Sequence, residues 1–204
     1  MGSCCGDQCG SPPPSGSGRF RRALWVALAI NSLMFLVEIG AGIASESSSL
    51  QADALDFLGD AANYGVSLFV LGMSLRRRAA ASMLKGATMA AFGLWVAGNT
   101  LMHAVAGTVP EAPVMGAIGV LAFMANVGVA VMLYAFREGD SNMRSVWICS
   151  RNDALGNVAV MAAAGGVLAS QTGWPDFAVA AIMAALALWG SIQVLGHAWR
   201  EWRT

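Results

Sequence analysis

Residues 52–75 read ADALDFLGDAANYGVSLFVLGMSL, a stretch with the length and apolar content of a membrane-spanning helix that nonetheless holds Asp53, Asp56 and Asp60 in its first half. Asp56 and Asp60 stand four residues apart. A helix therefore puts both carboxylates on one face with their Cβ atoms roughly 6 Å apart, close enough to share a cation or a proton. A carboxylate at membrane depth costs on the order of 3 kcal/mol on insertion scales, so two on one face need a partner. A polar stripe on a neighbouring helix would meet that need, and so would a bound cation.

Composition agrees with a membrane setting. The chain is 56% hydrophobic and 12% charged, against roughly 45–50% and 25% in soluble domains. Its formal net charge is zero, but Lys and Arg concentrate in short segments between apolar stretches. The first residues, MGSCCGDQCGSPPPSGSG, are polar and rich in Gly, Ser and Pro, with no secretory signal. The expectation is a disordered cytoplasmic tail over residues 1–20, followed by a membrane domain over 21–204. Cys4, Cys5 and Cys9 form CCxxxC within that tail. Three thiols can hold a soft or borderline cation, but tetrahedral zinc needs a fourth ligand from Asp7 or a second chain. A tail with no metal role fits the same residues.

Six apolar segments follow, at about 22–45, 51–75, 82–106, 114–136, 143–169 and 175–197, each reaching the ~20 residues that cross a ~30 Å hydrocarbon core. The expected fold is therefore an all-α membrane protein with six transmembrane helices. Arg19, Arg21, Arg22, Arg76, Arg77, Arg78, Lys85, Arg137, Arg144, Arg200 and Arg203 mark one side of it. The alternate loops SESSSLQ, GTVPEAP and SQTGWP have no Lys or Arg, which places both termini in the cytoplasm. Trp25, Trp147, Trp174 and Trp199 fall near the ends of segments, as interfacial anchors do, while Trp95 and Trp189 fall inside them. In segment three, Gly86, Ala90, Gly93 and Ala97 form a small-residue stripe that suits close packing, either within the chain or in a homodimer.

The interior also holds Asn31 and Glu38 in segment one, and Cys149, Arg151, Asn152, Asp153 and Asn157 in segment five. Cys149 and Asp153 repeat the four-residue spacing of Asp56 and Asp60. Together the four would make a site of three carboxylates and one thiolate, a set suited to tetrahedral zinc or cadmium. A single cysteine in a membrane helix also serves simply as a small apolar residue. Asn31, Glu38, Asp53 and Asn157 are candidates for supporting that site. Arg151, two residues from both Cys149 and Asp153, lies on another face and would either snorkel to the cytoplasmic side or pair with Glu38. His103 and His197 fall at segment ends and read as interfacial residues rather than ligands.

The run from Asn31 through Glu38 to SSSLQADALDFLGD resembles the first two helices of the cation diffusion facilitator family of divalent metal cation efflux transporters. That family is similar in its six transmembrane helices, its ADA-x-H/D-xxx-D segment in the second and its H/D-xxx-D segment in the fifth. The second-helix positions fall here on Asp56 and Asp60, and the fifth-helix motif on CSRND, Cys149 to Asp153. ALGNVAV at 154–160 and TGWPD, with Asp176 opening segment six, also resemble family patterns. Two departures stand out: Cys149 replaces the usual histidine, and HAWREWRT is all that follows segment six, as in a short form without the C-terminal cytoplasmic metal-binding domain.

The resemblance implies proton-coupled efflux of zinc, with cadmium or cobalt as further substrates, across the cytoplasmic membrane. Protons compete for the same ligand lone pairs and are the expected counter-ion; a homodimer held by transmembrane contacts is expected, with the segment-three stripe as first candidate, and no prosthetic group. A reading of another class is a membrane-bound metal-binding, accessory or sensor protein that does not transport. No nucleophile is paired with a base in the sequence, so an enzyme is not expected, and nothing suggests a nucleic-acid partner.

Overall fold

The computed structural model describes residues 18–69, 74–135 and 141–203, with side chains for all of these except Leu75, Arg78 and residues 141–149. Cys4, Cys5 and Cys9 lie outside the described residues, as does the Cys149 side chain. Six α-helices follow one another: α1 Gly18–Ala44, α2 Ser48–Phe69, α3 Leu75–Ala106, α4 Ala112–Tyr134, α5 Ser141–Ser170 and α6 Trp174–Arg203. Five of them, all but α2, are long and apolar enough to cross a membrane. α2 has the length, about 33 Å for its 22 residues, but Asp53, Asp56 and Asp60 take it out of that class by composition.

Three helices run further than the apolar pattern foretold, α1 among them, which starts at Gly18 instead of about residue 22. α3 starts at Leu75 instead of about residue 82, and α6 continues to Arg203 instead of about 197. Arginine is a good helix former, so a helix can outlast its apolar stretch once the side chains reach a polar layer. At the end of α6 the Arg203 guanidinium lies 4.8 Å from the Trp199 ring, and Arg200 bonds His197.

The main packing pairs are α3 with α6, α4 with α5 and α1 with α2. Among the described residues α2 is in contact with all five other helices. The outer helices turn large apolar side chains outward, among them Leu33, Leu36, Leu101, Val131 and Ile192. That arrangement is what an apolar solvent requires, since no hydrophobic force then drives those side chains inward. The stripe on α3 faces α6: a Cβ at Gly86 would fall 2.9 Å from Leu195 Cγ, and one at Gly93 3.0 Å from Leu188 Cδ2. Both glycines are buried within the chain. The expectation that this stripe forms a dimer contact is thereby corrected, because α6 already occupies it.

The α1–α2, α3–α4 and α5–α6 turns gather at one end. Gly107 closes α3 in the left-handed conformation, φ 70°, and its N–H bonds the His103 carbonyl. The Glu111 N–H bonds the Ser45 carbonyl, tying the start of α4 to the α1–α2 turn. The strongest link is Asp176. From the first turn of α6 its buried carboxylate accepts from Ser48 N (2.7 Å), Ser49 N (3.0 Å) and Ser47 Oγ (2.8 Å). Ser47 Oγ in turn accepts from Leu50 N, and the Ser47 carbonyl from Gln51 N. All four free N–H groups at the start of α2 are therefore satisfied, three of them through Asp176 or Ser47 side chains and one by the first helical bond. The carboxylate also sits against the positive ends of two helix dipoles.

Replacing Asp176 by Ala leaves buried donors without acceptors, at a cost on the order of 3 kcal/mol. The expected result is a clear drop in the melting temperature of detergent-solubilised protein, with faster amide exchange at residues 48–51. Unchanged exchange there would show that the cap is dispensable.

Candidate cation site

Between α2, α5 and α6 lies a cavity of about 180 Å³ lined by Asp56 and Asp60 from α2 and by Asn152 and Asp153 from α5. α6 contributes an apolar wall that includes Ile182, Met183 and Leu186, and Met89 of α3 closes one side. Three of the four ligands expected from sequence thus face one space. The fourth, Cys149, precedes Asp153 by one helical turn. The carboxylates have not closed on a single point: among the described residues no three His, Cys, Asp or Glu side chains stand close enough to hold one metal ion.

Asp60 is held in place. Tyr64, one turn further along the same face of α2, donates its hydroxyl to Asp60 Oδ2 at 2.9 Å. A carboxylate only accepts, so the 3.0 Å bond between Tyr64 and Ser150 runs from the serine hydroxyl to the phenol oxygen. Tyr64 and Ser150 are both buried, and the chain Ser150–Tyr64–Asp60 joins α5 to α2 one residue from Cys149. Sequence reasoning missed Tyr64, although its four-residue offset from Asp60 was the available signal. The α6 wall left no signal, since nothing in its sequence says which helix it faces.

The supporting candidates separate. Asp53 Oδ2 accepts from Asn157 Nδ2 at 2.6 Å, and Asn157 Oδ1 accepts from Asn126 Nδ2 at 2.9 Å, a chain across α2, α5 and α4. Glu38 is fully buried beside Asp53. Asn31 donates to the Ala27 carbonyl of its own helix and does not line the cavity. Arg151 is exposed beside Tyr134 and Ala154 and bonds Asn152, while neither Glu38 oxygen has a hydrogen-bond partner among the described residues. The alternative of an Arg151–Glu38 pair is therefore corrected: Arg151 is exposed, while Glu38 is fully buried and bonds no donor among the described residues. His103 bonds Ser48 at 3.4 Å near the turn end, away from the cavity.

Three carboxylates around one space in an apolar bundle make a strongly negative spot that a divalent cation would neutralise. Residues 24–201 match the cation efflux transmembrane domain. The chain belongs to the cation efflux family. No curated protein matches it. Membership supports transport of divalent cations by a multi-pass membrane protein, and the match covers all six helices, so the cavity sits inside the part that defines the family.

Tyr64→Phe removes the Asp60 hydrogen bond while keeping the ring that fills the core. Loss of a bond to a charged group, worth about 1.5–3 kcal/mol, is expected to change divalent-cation binding at least several-fold in calorimetry while the protein stays folded. Binding equal to the parent protein would show that Asp60 needs no such support.

Proposed function

We propose that this cation efflux protein exports divalent transition-metal cations, zinc foremost and cadmium or cobalt in addition, in exchange for protons. The observation that carries this reading is the convergence of Asp56, Asp60 and Asp153 on one cavity inside a bundle that matches the cation efflux domain. All six helices span the cytoplasmic membrane in this reading, with both termini and the arginine-flanked helix ends on the cytoplasmic side. Cys149 completes the ligand set as a thiolate. A cation binds only to the deprotonated ligands, so protons from the far side compete for the same lone pairs, and that competition couples the two flows. Rocking of helices around the site would alternate its access. The protein works as a homodimer through a surface other than the Gly86–Gly93 stripe.

Efflux by purified protein in liposomes tests the reading, using zinc, cadmium and cobalt with a pH gradient present or absent. Flux that rises with an opposing proton gradient is expected. A membrane metal sensor would bind the same cations and show no turnover. Asp56→Asn, Asp60→Asn and Asp153→Asn each remove a charged ligand at nearly constant size, and each is expected to lower flux at least a hundredfold without preventing insertion. Normal flux in any one would remove that residue from the site.

Cys149 is the departure from the family pattern, and a thiolate favours softer cations than an imidazole does. Cys149→His is expected to shift preference from cadmium toward zinc, and Cys149→Ser to weaken both. Competition between the two metals in uptake assays of the three proteins decides. If the serine variant handles both metals as the parent does, Cys149 is a packing residue.

A further inference from the structure

Glu38 and Asp53 form a second acidic pair, distinct from the cavity and nearer the capped end of α2. Glu38 is 0% and Asp53 1% exposed, and their carboxyl groups face each other within hydrogen-bonding reach across the α1–α2 contact. One of the four oxygens, Asp53 Oδ2, is satisfied by Asn157. The Asn157 amide cannot turn to help the others, because its oxygen is fixed by Asn126. Glu38 Oε1, Glu38 Oε2 and Asp53 Oδ1 have no hydrogen-bond donor among the described residues. Buried carboxylates without donors have to be neutralised, by a proton or by a cation. A single shared proton bridges two oxygens and would leave one of the three still bare. A divalent cation can engage all three.

The pair is also in line with the cavity. Gly156 of α5 separates them: a Cβ there would stand 3.8 Å from Asp53 Oδ1 and 3.8 Å from Asp56 Oδ2. One free oxygen of the pair and one oxygen of the cavity thus flank the same open spot, which only a residue without a side chain leaves clear. We propose that Glu38 and Asp53 form a second cation station, built of oxygen ligands alone, that exchanges a divalent cation with the cavity past Gly156. An oxygen-only station suits harder cations than a site with a thiolate and would hold a soft one loosely, as a release step requires. Its place between the cavity and the α1–α2 turn makes it the exit side in the transport reading, on which the route, though not the binding, rests.

Binding and transport separate the two proposals. Manganese(II), which prefers oxygen ligands, is the binding probe, followed by electron paramagnetic resonance on the full chain in detergent. The Asp60→Asn variant is expected to retain manganese binding, and Asp60→Asn with Glu38→Gln to lose it at least tenfold. If the double variant does not fold, Asp53→Asn in place of Glu38→Gln is expected to give the same loss. Retained binding in both double variants overturns the station. So does absence of manganese binding from Asp60→Asn alone. Gly156→Ala places its methyl at ordinary van der Waals distance from its neighbours and is expected to fold, keep binding at both places and lower zinc flux at least tenfold. Parent-level flux in that variant overturns the route past Gly156. A parent protein that binds manganese as expected yet moves no cation would overturn the transport reading and leave the station standing.

Discussion

The rest of the structure depends on keeping three carboxylates inside an apolar bundle on a single helix. α2 is too polar to face lipid, and it is the helix that the other five surround. The surrounding helices answer its polar face residue by residue: Asn157 and, behind it, Asn126 reach Asp53, Tyr64 and Ser150 hold Asp60, and Gln51 bonds the Gly42 carbonyl and Asn99. Each such bond matters more in hydrocarbon than in water, because a lost partner cannot be replaced by solvent. At Glu38 that supply of donors ends among the described residues.

The two ends of the bundle differ in kind. At the turn end, Asp176 caps α2 from α6, and Glu111 and Ser45 tie α4 to the first turn, so three connections are bound into one polar cluster. The opposite end carries the arginines and the exposed Trp199 and Trp202. The closest helix pairs, α3 with α6 and α4 with α5, supply different walls of the cavity: α6 is its apolar side and α5 its second carboxylate side.

Much of this was legible from the residues in order. Six helices, the shared face of Asp56 and Asp60 and the polar character of Glu38 and Asp53 follow from composition and from a four-residue spacing, because helix geometry is local and membrane burial is set by side-chain type. The bounds of α3 and α6 were less legible, since a helix does not stop where its apolar residues do. The Gly86–Gly93 stripe showed that some helix approaches closely, without showing that α6 is the one.

Tertiary structure alone decided the rest, since it depends on which faces meet. Arg151 and Glu38 are both ionisable and both placed in spans, yet one is exposed and the other fully buried, a difference fixed by the rotation of α5 and α1 in the bundle. Asp176 becomes the cap of a helix more than a hundred residues earlier, and Gly156 comes to lie between Asp53 and Asp56. The sequence by itself determined what α2 must contain and that it must be enclosed, because charge and hydropathy belong to residues. Only the packed structure decided which side chains share the cavity and where the unmatched oxygens point, because those follow from the contacts between helices.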